Sequence, residues 1–229
     1  MTAVYMYGAG DGGPDGWPVQ AAATPEATFL DRLAPTDADP VPFDDPERDA
    51  KRIVEALDGG GHLVAHSGGA VAALLAASQA PDVVRSLTLF EPACLGLARG
   101  RPAVDEMVAA MTAVFARRAD PQVSDGEFTH DFLLAMGVPG TDPDDPEYAT
   151  VGARLRLSTP PWETPLPLDV VSRVPTLVAT GGWSAAFDEV AEVLVDAGAR
   201  RVVVPGTGHG PQFHPDGQAA LAELQATYG

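Results

Sequence analysis

The segment Ala65-His66-Ser67-Gly68-Gly69 follows directly on the apolar stretch His62–Ala65 and directly precedes the small-residue run Ala70–Ala77. Those residue types in that order describe a serine on a sharp strand-to-helix turn, a nucleophile elbow. The backbone of such a turn is strained, and Cβ atoms two residues to either side would collide with the neighbouring strand and helix, so Ala65 and Gly69 have to be small. Held there, the Ser67 hydroxyl can attack an acyl carbon once a base takes its proton. The expected base is His209, where the β-branched run Val202–Val204 ends in the glycine-rich loop Gly206-Thr207-Gly208-His209-Gly210. A loop of that kind lets an imidazole reach over the end of a sheet, accept the serine proton and return it to the leaving group. The plainer readings are an ordinary βα turn and an ordinary turn histidine. The other four histidines fit worse. His62 opens a strand, His66 faces away from Ser67 by strand alternation, His130 falls in a helical stretch and His214 starts the last helix.

With Ser67 and His209 placed, the chain resembles the α/β-hydrolase superfamily, and the resemblance runs from Val4 to the C-terminus. Three further segments carry it. Val4–Gly10 is similar to the strand and loop that read His-Gly-x-Gly and lend a backbone N–H to the oxyanion hole. Ser86–Pro92 resembles the strand after the nucleophile helix, and Val174–Gly182 the strand that leads into the acid loop. The resemblance implies a three-layer αβα sandwich on a mostly parallel sheet, lacking the first two strands, with a helical lid insertion. It also implies a triad in the order serine, acid, histidine, and an oxyanion hole from the N–H groups of Ala9 and Gly68.

There are two departures from the family pattern. Tyr7 stands where a histidine is usual, which leaves the oxyanion hole intact because only backbone N–H groups are needed there. The acid is the larger departure: the expected aspartate after Thr180 is replaced by Gly181-Gly182-Trp183-Ser184. Glu91, immediately after the strand Ser86–Phe90, falls beside the usual acid position, and a carboxylate after a buried strand needs a partner such as His209. Asp188 is the alternative acid, although Phe187, Val190, Ala191 and Leu194 have helical spacing and put it in a helix's first turn, where a negative charge is favourable in its own right.

The 229 residues, 45% of them hydrophobic, suffice for one substantial core. Residues 1–94 and 174–229 are expected to form it, and 95–173 to be the lid, since 79 residues are too many for a simple connection. Within the lid, Val104, Met107, Val108, Met111, Val114 and Phe115 share a helix face; Phe128, Phe132 and Leu133 suggest a second helix and Tyr148–Leu157 a third. Elsewhere, Gly8–Pro18 reads as a loop, Pro25–Leu33 as a short helix, Val41–Phe43 as a strand stub, and Asp45-Pro46 as the cap and first residue of a helix bearing Ala50, Ile53, Val54 and Leu57 on one face.

A net charge of −18 repels phosphate backbones and anionic lipid, which disfavours nucleic-acid and membrane-surface roles. The single lysine against thirteen arginines speaks of a GC-rich genome rather than of function. Cys94 is the sole cysteine, so no intramolecular disulfide or cysteine metal cluster can be drawn. The N-terminal stretch lacks a basic region and a signal-like apolar core, so the cytoplasm is the expected compartment. The partner is a small molecule, with a homodimer admissible; no metal or organic cofactor is called for. The expected reaction is hydrolysis of a small hydrophobic or aromatic ester, thioester or lactone through an acyl-enzyme on Ser67, with Trp17, Met111, Trp162 and Trp183 as pocket-lining residues. The alternatives are carbon–carbon bond cleavage, perhydrolysis, or a ligand-binding protein with a weak site on the same fold.

Overall fold

The structure is a computed structural model that describes residues 2–8, 10–33, 44–139 and 141–229. Six strands, β1 (Thr2–Met6), β2 (Thr28–Leu30), β3 (Gly61–His66), β4 (Val84–Phe90), β5 (Thr176–Thr180) and β6 (Arg200–Val203), form one sheet in the order β2-β1-β3-β4-β5-β6. Every neighbouring pair is parallel. A parallel sheet must be covered on both faces, and the strands carry apolar residues on both accordingly. Val4 and Met6, Leu63 and Ala65, Leu87 and Leu89, and Val178 pack with Ile53 of α2 (Pro46–Ala56), Leu74 of α3 (Gly69–Gln79) and Val190 of α7 (Ala185–Asp196). The residues between them, Tyr5, Val64, Phe90 and Ala179, turn to the other face and meet Trp17 and Leu221 of α8 (Pro215–Thr227). This period of two produces the three layers.

The N-terminal third departs from the sequence reading. Pro18–Ala23 forms a short helix, α1, started by a proline that needs no N–H at that position, and a 3₁₀ turn at Gly13–Gly16 precedes it. The expected helix over Pro25–Leu33 is strand β2 instead: Thr28 and Phe29 suit a pleated surface, and the Phe29 ring stacks on Tyr5 of β1 at 4.8 Å between centroids. The strand expected at Val41–Phe43 lies outside the described residues. Asp45 caps α2 as its sequence suggests, accepting from the N–H groups of Glu47 at 3.0 Å and Arg48 at 3.1 Å.

Between β4 and β5 come α4 (Pro102–Phe115), α5 (Asp125–Ala135) and α6 (Pro146–Leu157). Helix α4 is tied to the core helix α7 by Glu189, which accepts from the Val104 N–H at 2.9 Å. Helix α5 begins with a reciprocal capping box between Ser124 and Glu127. Among the described residues no helix is long and apolar enough to cross a membrane.

Helix α3 crosses the sheet so closely at its start that Gly69 has no room for a side chain. A Cβ there would lie 2.5 Å from the Met6 carbonyl oxygen and 2.6 Å from that of Tyr7. Both are backbone atoms at the carboxyl end of β1 and cannot move aside cheaply. Gly69→Val is therefore expected to lose several kcal/mol of stability and most of its soluble yield, measured by thermal unfolding. An unchanged melting temperature would show that the strand and helix do not meet as described.

Candidate active site

Two non-glycine residues at the carboxyl ends of adjacent strands adopt positive φ: Ser67 at 51° after β3 and Glu91 at 44° after β4. Side chains rarely adopt this region, and its cost is sustained only where surrounding contacts fix it. Here the two turns hold each other. The Ser67 N–H donates to the Phe90 carbonyl at 3.0 Å, the Ala93 N–H donates to the Ser67 carbonyl at 3.1 Å, and the Glu91 N–H donates to Ala179 of β5 at 2.8 Å. The elbow and the following turn are thus one backbone unit. Gly8, at the end of β1, completes it: a Cβ there would sit 3.3 Å from Ser67 Oγ.

The Glu91 side chain is fully buried, and it is met by donors from three directions. The Gly181 N–H reaches Oε1 at 2.5 Å and the Trp183 indole N–H reaches Oε2 at 3.1 Å. His209 Nδ1 lies 3.3 Å from the same Oε2 and donates to it in the tautomer that leaves Nε2 free as a base. Burial pushes the Glu91 carboxyl up to about 7, with the Gly181 and Trp183 hydrogen bonds opposing the shift. Burial likewise holds His209 down at about 4, so the imidazole is neutral at pH 7 and able to accept a proton.

Asp188 is engaged elsewhere. It sits in the first turn of α7, pairs with Arg201 and accepts from Thr180 Oγ1 at 3.1 Å. At the place where the family carries its aspartate, Gly181 admits no side chain at all, because a Cβ would fall 2.1 Å from the Gly208 carbonyl oxygen. The loop carrying His209 closes over the glycine, and the carboxylate arrives from β4 instead.

His66 turned out to belong to the site. It lines the same cavity as Ser67, and its Nε2–H donates to the backbone carbonyl of His209 at 2.9 Å. Its ring stacks on Tyr7 at 4.5 Å, and burial holds its pKa down at about 3, so it remains neutral. The sequence signal was present in the adjacency of His66 to Ser67 and in Tyr7, but a contact to a residue 143 positions away has no local pattern.

A cavity of about 220 Å³ opens over Ser67 and His209. Met111 and Phe115 of α4, Phe132 of α5 and Leu155 of α6 line it. Met111 thus stands where the sequence put it, whereas the three tryptophans do not line the cavity. Trp17 is fully buried on the opposite face of the sheet, packed edge-on to Tyr5 and Tyr7. Trp162 sits behind Phe115, its ring edge-on at 5.7 Å. Trp183 holds Glu91 rather than facing the cavity. The reason is common to all three: an apolar ring in a loop is buried by whichever surface is nearest, and loop position alone does not select the pocket. The Gly68 N–H, expected in the oxyanion hole, starts α3 and meets no protein acceptor among the described residues. Ala9 lies outside them. Among the described residues no cluster of histidine, cysteine or carboxylate side chains could hold a metal ion.

Residues 8–221 match the alpha/beta hydrolase family. The chain belongs to that family. No curated protein is significantly similar in sequence. Among solved structures, MenH from S. aureus superposes with a TM-score of 0.67 at 13% identity, covering 100% of this chain and 94% of that one. A thermophilic esterase from Thermogutta terrifontis gives 0.65 at 17% identity, covering 100% and 91%. A structure from the ammonia-oxidizing thaumarchaeon Nitrososphaera gargenis, reported in work on its carboxylesterases, gives 0.69 at 12% identity, covering 99% and 90%. At these identities the likeness is one of fold.

A carboxyl group whose pKa is higher in the folded than in the unfolded chain contributes stability below its unfolded value and loses it as pH rises through the folded one. For Glu91 that window runs from 4.5 to about 7. Glu91→Gln is therefore expected to gain on the parent between pH 5 and pH 8, by on the order of 3 kcal/mol in unfolding free energy. Denaturant unfolding of both proteins across that range checks it, and a gap that stays constant with pH would contradict the burial of a shifted carboxyl.

Proposed function

We propose that the protein is a serine hydrolase acting on a small, largely apolar ester, thioester or lactone through an acyl-enzyme on Ser67. The observation that carries this reading is the line of groups formed by Glu91, His209 and the strained Ser67 turn beside one cavity. His209 Nε2 takes the Ser67 proton as Oγ attacks the acyl carbonyl, and the resulting imidazolium is stabilised by the Glu91 carboxylate on its other nitrogen. The N–H groups of Gly68 and Ala9 receive the oxyanion. Protonated His209 then delivers its proton to the leaving group. Water, deprotonated by the same imidazole, releases the acyl group and regenerates the serine. No step calls for a metal or an organic cofactor.

The alternative of a binding protein with a weak site rests on the missing acid after Thr180 and on Tyr7, and the Glu91 carboxylate beside His209 speaks against the first of these grounds. The helices of residues 95–173 act as the lid in this reading, since they supply most of the apolar lining while β3 and the His209 loop supply the chemistry. The small cavity favours short acyl groups.

A fluorophosphonate is expected to label the parent protein and not Ser67→Ala, which should remain folded because it loses a single hydroxyl. Absence of labelling of the folded parent would contradict an activated serine. In a panel of 4-nitrophenyl esters, butyrate is expected to be hydrolysed with a much higher kcat/KM than palmitate. Met111→Trp should shift the preference further toward acetate with little change in melting temperature. An unshifted preference would place Met111 in the core rather than at the substrate.

A further inference from the structure

We propose that the cavity recognises an anionic substrate group, of carboxylate class, through Arg32, so that the acyl substrate carries this charge close to its reacting carbonyl. The proposal rests on the serine-hydrolase reading and names the substrate class for it. Among the described residues lining the cavity, Arg32 is the charged one, and no carboxylate lines it. Its side chain is 5% exposed. A guanidinium so deeply placed needs oxygen partners for its donors. Asp44 supplies one, accepting from Nη2 at 2.6 Å. Among the described residues Nη1 and Nε have none.

The free edge is aimed at the chemistry. A Cβ built on Gly68 would fall 2.6 Å from Arg32 Nη1, so the guanidinium packs directly on the Cα of the residue after the nucleophile. A side chain at position 68 would have to push the end of the arginine aside. It also sets a cationic donor beside the Gly68 N–H, at the start of α3, where a negative charge is favoured.

The position is built rigidly. Two arginines of α2 grip the backbone of the same segment, Arg48 donating to the Arg32 carbonyl at 2.7 Å and Arg52 to the Asp31 carbonyl at 2.8 Å. Asp44, which orients the guanidinium, also accepts from the Thr159 N–H at 2.6 Å, just beyond α6. Arg32 is thereby held between core and insertion, with Nε buried and Nη1 beside the Gly68 turn. Most of the remaining lining is apolar, so a matching ligand is charged at one end near the serine and apolar beyond. A carboxylate oxygen can accept from Nη1, and such a charge-assisted bond in a desolvated site discriminates against neutral analogues.

Two measurements test this separately from the hydrolase reading. In Ser67→Ala, which cannot turn over, calorimetric titration is expected to show hexanoate binding at least about tenfold more tightly than hexanamide. Arg32→Gln in an Asp44→Asn background, which avoids leaving a lone buried carboxylate, should abolish that preference, and Arg32→Lys should reduce it several-fold. For turnover, the mono-4-nitrophenyl ester of glutaric acid is compared with its methyl diester. The Arg32 variant is expected to lower kcat/KM for the free acid at least about tenfold more than for the diester. Equal binding of hexanoate and hexanamide, or a preference that survives loss of Arg32, would overturn the proposal. An equal loss on both esters would do so as well, by assigning Arg32 to the oxyanion or to stability. Failure of fluorophosphonate labelling would overturn the hydrolase reading while leaving the hexanoate titration to judge Arg32 alone.

Discussion

The site is organised around a buried carboxylate. Glu91 leaves the end of β4 with a positive φ and delivers its charge into the sheet's carboxyl edge, where the Gly181 amide, the Trp183 indole and the His209 imidazole converge on it. An ionised carboxylate in such surroundings is costly unless its lone pairs are met. That requirement fixes much of the surrounding structure. Gly181 must be bare so that the Gly208 carbonyl can come close, Trp183 must turn inward, and the His209 loop must close over both. Burial raises the Glu91 carboxyl more than the Gly181 and Trp183 hydrogen bonds lower it.

Strain at the site is shared between two strand ends and supported by their hydrogen bonds to one another. Because Ser67 and the Phe90–Ala93 turn exchange backbone hydrogen bonds, the Ser67 and Glu91 turns cannot shift independently. His66 extends the unit to the third member by holding the His209 carbonyl, while Tyr7 covers its ring. Ser67 and Glu91 are thus joined through main-chain contacts, and His209 is tied to them by the side chains of Glu91 and His66. Arg32, held by Arg48 of α2 through its carbonyl and by Asp44 through its guanidinium, lines the same cavity.

The elbow could be read in the sequence because its constraint is local: a strand, a serine, two glycines and a helix leave few conformations. The same holds for the helices over 102–115 and 146–157, and for the cap at Asp45. Glu91 was reached by reasoning about a charge that follows a buried strand. His66 was set aside because strand alternation gives the direction of its ring but not what the ring meets. Strand β2 was missed because three residues carry too little periodicity and Pro25 sits close by; its pairing with β1 and the Tyr5–Phe29 stack, which are long-range, decide its conformation. The tryptophans were misplaced for a related reason, since burial against Tyr5 or Glu91 depends on topology. Arg32 gave no sequence signal, because its meaning comes from Gly68 and Asp44 closing around it.

The central claim is that Glu91, and not Asp188, orients His209 and stabilises its charged form. The direct measurement is the single-turnover acylation rate of Glu91→Gln and Asp188→Asn against the parent, at matched folded fraction. Loss of the Glu91 charge is expected to slow acylation about a hundredfold or more, while Asp188→Asn, already occupied with Arg201, stays within a few-fold of the parent. The reverse outcome, with Asp188→Asn inactive and Glu91→Gln near the parent rate, would contradict it.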